Sequence, residues 1–168
     1  LGHRASHVGQ AHAKAALAGV CYVHWLTEHV HGHHRHVATP EDPATARREQ
    51  SLYAFWWQSI VGGYRSAWRI EQKLREKDNA TFLHPMAAAA LWPALVCTAL
   101  TAGFSLWAGR IAWEIPLFFL AQSLIAILLL ESVNYVEHYG ILRNVAPSGR
   151  YERVNPLHSW NASQLVSN

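Results

Sequence analysis

Five histidines lie within eight residues of the segment between Glu28 and Pro40. Gathering neutral imidazoles is unfavourable unless something shares their lone pairs, and metal ions do so. If the segment is helical, His29 and His33 lie one above the other, and His34 lies about 100° further round the helix. The spacing therefore predicts a site that binds one metal ion or two neighbouring ions.

Other residue types narrow the chemistry of that metal. The 168 residues include twelve histidines but only two cysteines, Cys21 and Cys97, and neither cysteine has a second one nearby. Zinc sites and iron–sulfur clusters built from thiolates are therefore not supported. Nitrogen ligands without thiolates suit iron, copper or zinc.

Two long apolar stretches are the elements that position the histidines. The stretch from Met86 to Ala108 carries no charge, and it is long enough to cross a hydrocarbon core of roughly 30 Å. After a short turn at Arg110, a second stretch runs from Ile111 to Leu130 and is interrupted by Glu114 and Gln122. Together they predict a transmembrane hairpin. Two buried helices of a soluble bundle are a weaker alternative, because neither stretch has a polar stripe.

The basic residues orient this hairpin. The chain has a formal net charge of +3 and a pI near 9.1 without a nucleic-acid-binding motif, so a membrane explains its composition better. Most Lys and Arg flank the hairpin and only Arg110 lies at its tip, so the positive-inside rule places both flanks in the cytoplasm. The second stretch continues to His138, which is therefore expected on the same side as His29, His33 and His34.

The remaining segments are also expected to be helical. The apolar stretch at residues 11–27 is too short for a confident crossing, and it is either half of a longer helix or a helix packed inside the bundle. Two prolines end the histidine helix, and a helix is expected to resume from Ala44 with Asp42 as its cap. Residues 53–77, rich in aromatic and basic side chains, suit a helix at the membrane interface, although ordinary packing explains them equally well.

The predicted fold class is an all-α, polytopic membrane helical bundle. We expect a single partial domain over residues 1–168, made of histidine-bearing helices (1–36), a cytoplasmic or interfacial segment (37–84), the transmembrane hairpin (86–131) and a cytoplasmic segment (132–168). Both ends look cut, so a fragment of a longer protein is expected.

Several motifs in their order along the chain resemble one family. They are the run from Glu28 to Arg47, Ser-Ala-Trp-Arg-Ile-Glu at 66–71, Asn-Tyr-Val-Glu-His-Tyr-Gly-Ile-Leu-Arg at 134–143, Gly-Arg-Tyr-Glu-Arg at 149–153 and His-Ser-Trp-Asn at 158–161. Together they are similar to the bacterial integral-membrane di-iron alkane hydroxylases, the alkane 1-monooxygenase family, whose bundle is of the fatty-acid-desaturase type. The long run and the Asn134 to Gly140 box are the more specific parts, since other membrane di-iron enzymes share His-x-x-x-His-His.

This resemblance implies a centre of two non-haem Fe ions bound by histidines. The ligands that it places in this chain are His3, His29, His33, His34 and His138, and further ligands belong to family boxes outside these residues. Val30 stands where the family commonly has Asn. This difference affects the hydrogen bonds expected around the ligands and not the ligands themselves. Glu28 and Glu137 each precede a ligand, and they are expected to fix imidazole tautomers or to pair with Arg35 or Arg143.

The other histidines receive smaller roles. His31 and His36 flank the ligands and are expected to be solvated or to support them by hydrogen bonds, and His158 has at most an orienting role. His7 lies four residues after His3, but the family register does not favour it as a ligand. No catalytic residue beyond the metal ligands is expected.

The resemblance also implies an activity. It is the hydroxylation of the terminal methyl of n-alkanes to primary alcohols, with O2 and with electrons from rubredoxin and its reductase. The protein is expected in the bacterial inner membrane as a multi-pass protein with its histidine boxes on the cytoplasmic side, and the isolated fragment is expected to be inactive. The alternatives are a related membrane enzyme, either xylene monooxygenase-like or a fatty-acid desaturase, and a non-enzymatic membrane metal-binding protein.

Overall fold

The structure is a computed structural model, which describes residues 7–78 and 84–160. The helices are α1 (His7–Ala18), α2 (His24–Glu28), a π-helical turn (His29–His33), α3 (His34–His36), α4 (Leu52–Asp78), α5 (Pro85–Ala108), α6 (Glu114–His138) and a 3-10 turn (Pro156–His158). Within the described ranges the extended backbone pairs only at one bridge, between Val145 and Tyr151. The all-α expectation is confirmed, and His3 lies outside the described residues.

The chain divides into two compact units. The first comprises the described parts of Leu1–Leu26 and Glu71–Ile127, and the second comprises those of Thr27–Ile70 and Leu128–Asn168.

Two helices have the length and composition to cross a membrane, and they are α5 and α6. At 24 and 25 residues they are each about 36 Å long at 1.5 Å per residue. Their apolar side chains point outward, since only 6% and 17% of their most apolar windows are buried. Such a surface suits lipid, which agrees with the predicted hairpin.

The turn of this hairpin explains why α6 begins later than predicted. Gly109 ends α5 in the left-handed conformation at φ 65°, which a residue without Cβ adopts freely. The amide of Ala112 then donates to the Ser105 hydroxyl at 2.9 Å, and α6 begins at Glu114, which pairs with Arg110. Ile111 was expected to start the helix, but it belongs to the turn despite its apolar side chain.

A helix break in the first unit interrupts the apolar stretch at residues 11–27. After α1 ends, Cys21 adopts φ 57° and the chain turns before α2 begins. The Gly19 carbonyl, which no longer has a helical partner at this break, accepts a hydrogen bond of 2.6 Å from the Gln122 side chain of α6. Non-helical backbone beside a membrane helix requires such a partner.

The second unit is held together by α4 and the last turns of α6. Phe55 is fully buried and meets the ring of Tyr135 with centroids 5.4 Å apart. The next residue, Trp56, donates its indole N–H to the Ser132 hydroxyl at 3.1 Å, and one turn further along α4 the Ser59 hydroxyl donates to the buried Glu131 carboxylate. These contacts fix the end of α6, and therefore His138, against α4.

Between α3 and α4 the chain forms turns, so the helix expected from Ala44 is absent. Successive backbone bonds link Thr39 to His36, Asp42 to Thr39 and Thr45 to Asp42, and α4 begins only at Leu52. Proline at position 43 packs closely on Gly62 of α4, where a Cβ would lie 2.6 Å from the proline ring. The turns carry Asp42 back toward the histidine segment.

Candidate metal centre

The π-helical turn His29–His33 and the first residue of α3 place three histidines on one wall of the candidate site. In this wider turn the rings of His29 and His33 stack with centroids 5.2 Å apart and an interplanar angle of 14°. The ring of His34 meets that of His29 edge-on at 4.5 Å. π-helical turns are rare in proteins, and those that occur are often found at functional sites.

A fourth histidine comes from the last residue of α6. The ring centroid of His138 lies 4.8 Å from that of His33, although the two residues are far apart in sequence. The structure therefore brings together four of the five expected ligands, and His3 is the one outside the described residues.

Asp42 holds the His33 ring from behind. Its Oδ2 lies 2.9 Å from Nδ1 of His33 and also accepts a hydrogen bond of 2.6 Å from the Thr45 hydroxyl, while its Oδ1 accepts from the amide of Ala44 at 3.1 Å. Burial alone would raise the pKa of Asp42, but these hydrogen bonds and the neighbouring His33 lower it. An ionised Asp42 can only accept hydrogen bonds, so Nδ1 of His33 carries a proton and donates to it. Nε2 of His33 can then present a lone pair to a metal.

The backbone orients His138 in the same way. Its Nδ1 lies 3.1 Å from the carbonyl oxygen of His158. A carbonyl only accepts, so Nδ1 carries the proton and Nε2 is the nitrogen with the available lone pair. The carboxylate of Glu137, one of the two residues expected to fix tautomers, lies 3.9 Å from this Nε2.

His29 and His34 are held in the neutral state that metal binding requires. Burial, together with the neighbouring histidines, lowers the pKa of His29 to about 3. The pKa of His34 is lowered by burial and by His33. By contrast, the pKa of His33 is raised, because the hydrogen bond and charge of Asp42 outweigh the effect of burial.

Three carboxylates are buried in this unit without a buried Lys or Arg among the described residues. They are Glu28, Asp42 and Glu131, which are 4%, 2% and 1% exposed. Burying negative charge is costly unless a cation or proton compensates it. Burial first and Asp42 second raise the pKa of Glu28 to about 7. A metal cation would remove the need for that proton.

Glu28 is the carboxylate with a spare oxygen. It accepts a hydrogen bond from Ser66, whereas its buried Oε1 has no hydrogen-bond partner. Gly32 provides the room, since a Cβ at this position would collide with that oxygen. An unpaired buried carboxylate oxygen whose charge interacts with His33 fits a site for a cation.

The donors fit a metal in type, and His33 and His138 also fit in burial and orientation, but the described donors do not converge on one ion. In residues 7–78 and 84–160, no three His, Cys, Asp or Glu side chains are arranged to hold one ion. His31 and His36 are exposed, so they are solvated neighbours of the candidate ligands. Asp42 was expected to cap a helix and instead contacts His33; its place between two prolines gave no signal of that contact.

Comparison with known proteins gives a consistent result. The sequence model described as fatty acid desaturase matches residues 1–167. Alkane 1-monooxygenase 2 of Pseudomonas aeruginosa is 45% identical over 152 residues, covering 90% of this chain and 39% of that protein. Alkane 1-monooxygenase 1 of the same organism is 42% identical over 167 residues, covering 99% of this chain and 42% of that protein.

A more distant relative has a different named substrate. The xylene/toluene monooxygenase hydroxylase component XylM of Pseudomonas putida is 30% identical over 141 residues, covering 79% of this chain and 34% of that protein. The chain thus spans about two fifths of the length of the curated alkane monooxygenases that it matches.

Proposed function

Because this chain belongs to the fatty acid desaturase family and is similar over nearly its whole length to alkane 1-monooxygenases, we propose that it is part of a membrane alkane hydroxylase. The reaction is the O2-dependent hydroxylation of the terminal methyl of an n-alkane to a primary alcohol. The similarity to alkane 1-monooxygenases is greater than that to the xylene/toluene enzyme, which favours an alkane over an aromatic substrate.

The proposed cofactor is a pair of non-haem irons. The residues that would hold it are His3, His29, His33, His34 and His138, with Glu28 and Glu137 supporting them and the remaining ligands outside these residues. Bound iron supplies the activation of dioxygen, which no side chain of the chain can perform alone.

The protein residues around the metal have three tasks. Asp42 and the His158 carbonyl hold two imidazoles with Nε2 toward the site. Burial keeps His29 neutral and able to donate its lone pair. The buried carboxylates compensate the charge of a metal whose ligands are neutral imidazoles. A single observation carries the proposal, namely four imidazoles from two distant segments that meet at one place, two of them held by a hydrogen bond on Nδ1.

The partners and the location follow from the same proposal. Electrons would come from rubredoxin and its reductase, and the protein would lie in the bacterial inner membrane with its histidine boxes on the cytoplasmic side. The two helices long enough to cross a membrane support a membrane location. We also propose that residues 1–168 belong to one membrane oxygenase domain.

The experiment uses the full-length protein expressed in bacterial membranes. Iron content is measured together with the conversion of octane to 1-octanol by gas chromatography, with rubredoxin and its reductase supplied. His138→Ala should lose both iron and product, whereas His36→Ala, an exposed histidine of the same cluster, should lose neither. Bound zinc or copper without oxidation would support a non-enzymatic metal-binding protein. Oxidation of xylene with no octanol, or a desaturated product, would favour the related enzymes.

A further inference from the structure

The segment after α6 folds back onto the end of that helix. The Trp160 amide donates to the Glu137 carbonyl at 2.7 Å, and the Trp160 indole donates to the Tyr139 carbonyl at 3.1 Å. Glu137 lies in the last turn of α6 and Tyr139 directly follows that helix, where carbonyls lack helical partners. This return brings the backbone of residue 158 beside the His138 ring.

The His158 side chain is itself fixed in one tautomer. Its Nδ1 accepts a hydrogen bond of 3.0 Å from the amide of Asn155, and the Asn155 side chain accepts from the amide of Leu157 at 2.9 Å. Because Nδ1 of His158 accepts, the ring proton lies on Nε2, which is 3.3 Å from Oε1 of Glu152. His158 is buried, so its ring has few other arrangements.

Glu152 connects the His158 ring to Asn144, on the other side of the loop that follows α6. Its Oε1 accepts from the amide of Asn144 at 2.9 Å and from the Asn144 side chain at 3.1 Å. The Glu152 amide donates back to the Asn144 carbonyl at 3.0 Å. One carboxylate oxygen therefore accepts three hydrogen bonds, which together close the loop around residue 158.

We infer that Glu152 and His158 are positioning residues for the candidate ligand His138, a conclusion that rests on the proposed function. The Glu152 carboxylate accepts a hydrogen bond from Nε2 of the His158 ring, and Nδ1 of the same ring accepts one from the Asn155 amide. These contacts fix the backbone of His158, whose carbonyl accepts a hydrogen bond from Nδ1 of His138. The loop thereby presents Nε2 of His138 to the metal, although neither Glu152 nor His158 coordinates it. Hydrogen-bond partners of metal-bound histidines commonly act in this manner.

The test compares two substitutions of Glu152 in the full-length protein. Glu152→Ala removes the acceptor of all three hydrogen bonds, whereas Glu152→Gln removes the charge but retains an amide oxygen that accepts them. Arg153→Ala, a neighbouring exposed residue on the same loop, serves as the matched control. The measurements are ferrous-iron affinity by chelator competition, thermal unfolding with and without iron, and the iron-57 Mössbauer spectrum.

We expect the Ala variant to bind iron about 10- to 100-fold more weakly, to lose part of the stabilisation that iron gives, and to change the spectrum of one iron site. The Gln variant should restore the wild-type spectrum and come within a few-fold of the wild-type affinity. Wild-type affinity and spectrum in Glu152→Ala, or equal destabilisation with and without iron, would overturn the inference. If the wild-type protein binds no iron, the proposed function itself fails, so the two failures are distinguishable.

Discussion

Replacing Asp42 by Asn should turn the His33 ring into a poor metal ligand while leaving the fold in place. The Asn oxygen can still accept from the amide of Ala44, which then places the NH2 group where Oδ2 faces Nδ1 of His33. Since that NH2 group donates, Nδ1 must accept, and the ring proton moves to Nε2. The nitrogen that would bind the metal is then blocked.

The magnitude follows from these contacts. Changing a hydrogen-bond partner of a ligating histidine typically weakens metal affinity by about 10- to 100-fold, which corresponds to about 1.4–2.8 kcal/mol. The Thr45 hydroxyl, which donates to Oδ2 at 2.6 Å, also loses its acceptor. Because this hydroxyl is buried, the free energy of unfolding should fall by about 1–3 kcal/mol even without metal.

The assay is ferrous-iron titration of the full-length protein in detergent against a competing chelator, with thermal unfolding of the metal-free protein measured separately. Glu41→Gln is the matched control, since it makes the same chemical change at a neighbouring exposed carboxylate and should leave iron affinity unchanged. A folded Asp42→Asn protein with wild-type iron affinity would refute the claim that Asp42 sets the His33 tautomer.

Three further predictions concern Gly32, Glu28 and Glu49. Gly32→Ala should displace the buried Glu28 carboxylate, which the new Cβ would meet, and this displacement should offset the roughly 1 kcal/mol that Ala gains over Gly in a helix; a gain of the full ~1 kcal/mol in thermal unfolding would contradict the close packing. Since the pKa of Glu28 is raised from 4.5 to about 7, the contribution of Glu28 to the stability of the metal-free protein should fall by up to about 3 kcal/mol as pH rises through that interval. His29, whose pKa is lowered to about 3, acts in the opposite direction, so the measurement is the difference in free energy of unfolding between wild type and Glu28→Gln; this difference should move in favour of Glu28→Gln as pH rises, and a constant difference would contradict the raised pKa. Glu49→Gly should raise the free energy of unfolding by up to about 1 kcal/mol in denaturant titration, because Glu49 adopts φ 66°; a lower value would show that this conformation is not strained.

The membrane helices were predictable because local composition determines them. An uncharged stretch long enough for a bilayer has few alternatives to a helix, and α5 spans Pro85–Ala108 as the stretch from Met86 indicates. The beginning of α6 was less predictable, since Ile111 is apolar in the turn as it would be in the helix. The helix expected from Ala44 does not begin there for a different reason. Tertiary contacts, including the packing of Pro43 on Gly62, override the local helical preference of this segment.

The histidines of the candidate site were predictable from spacing, whereas the groups that orient them were not. His29, His33 and His34 follow a helical repeat, although their π-helical geometry could not be read from it. Asp42 and Glu152 act through contacts with distant or looped segments, which leave no periodic pattern in the sequence. The resemblance to a family identified candidate ligands, but it did not say which hydrogen bonds hold them.

The bond from Gln122 to the Gly19 carbonyl has a consequence for how the protein is made. Gln122 lies eight residues after Glu114, about 12 Å along α6, so its partner carbonyl lies well inside the apolar length of that helix. The two residues are separated by 103 positions, and the ribosome adds about 5–20 residues each second. During those seconds the break after α1 has no Gln122 to satisfy it, and a bare carbonyl is costly in hydrocarbon. Biogenesis must therefore keep this turn near water or the insertion machinery until α6 has been synthesised.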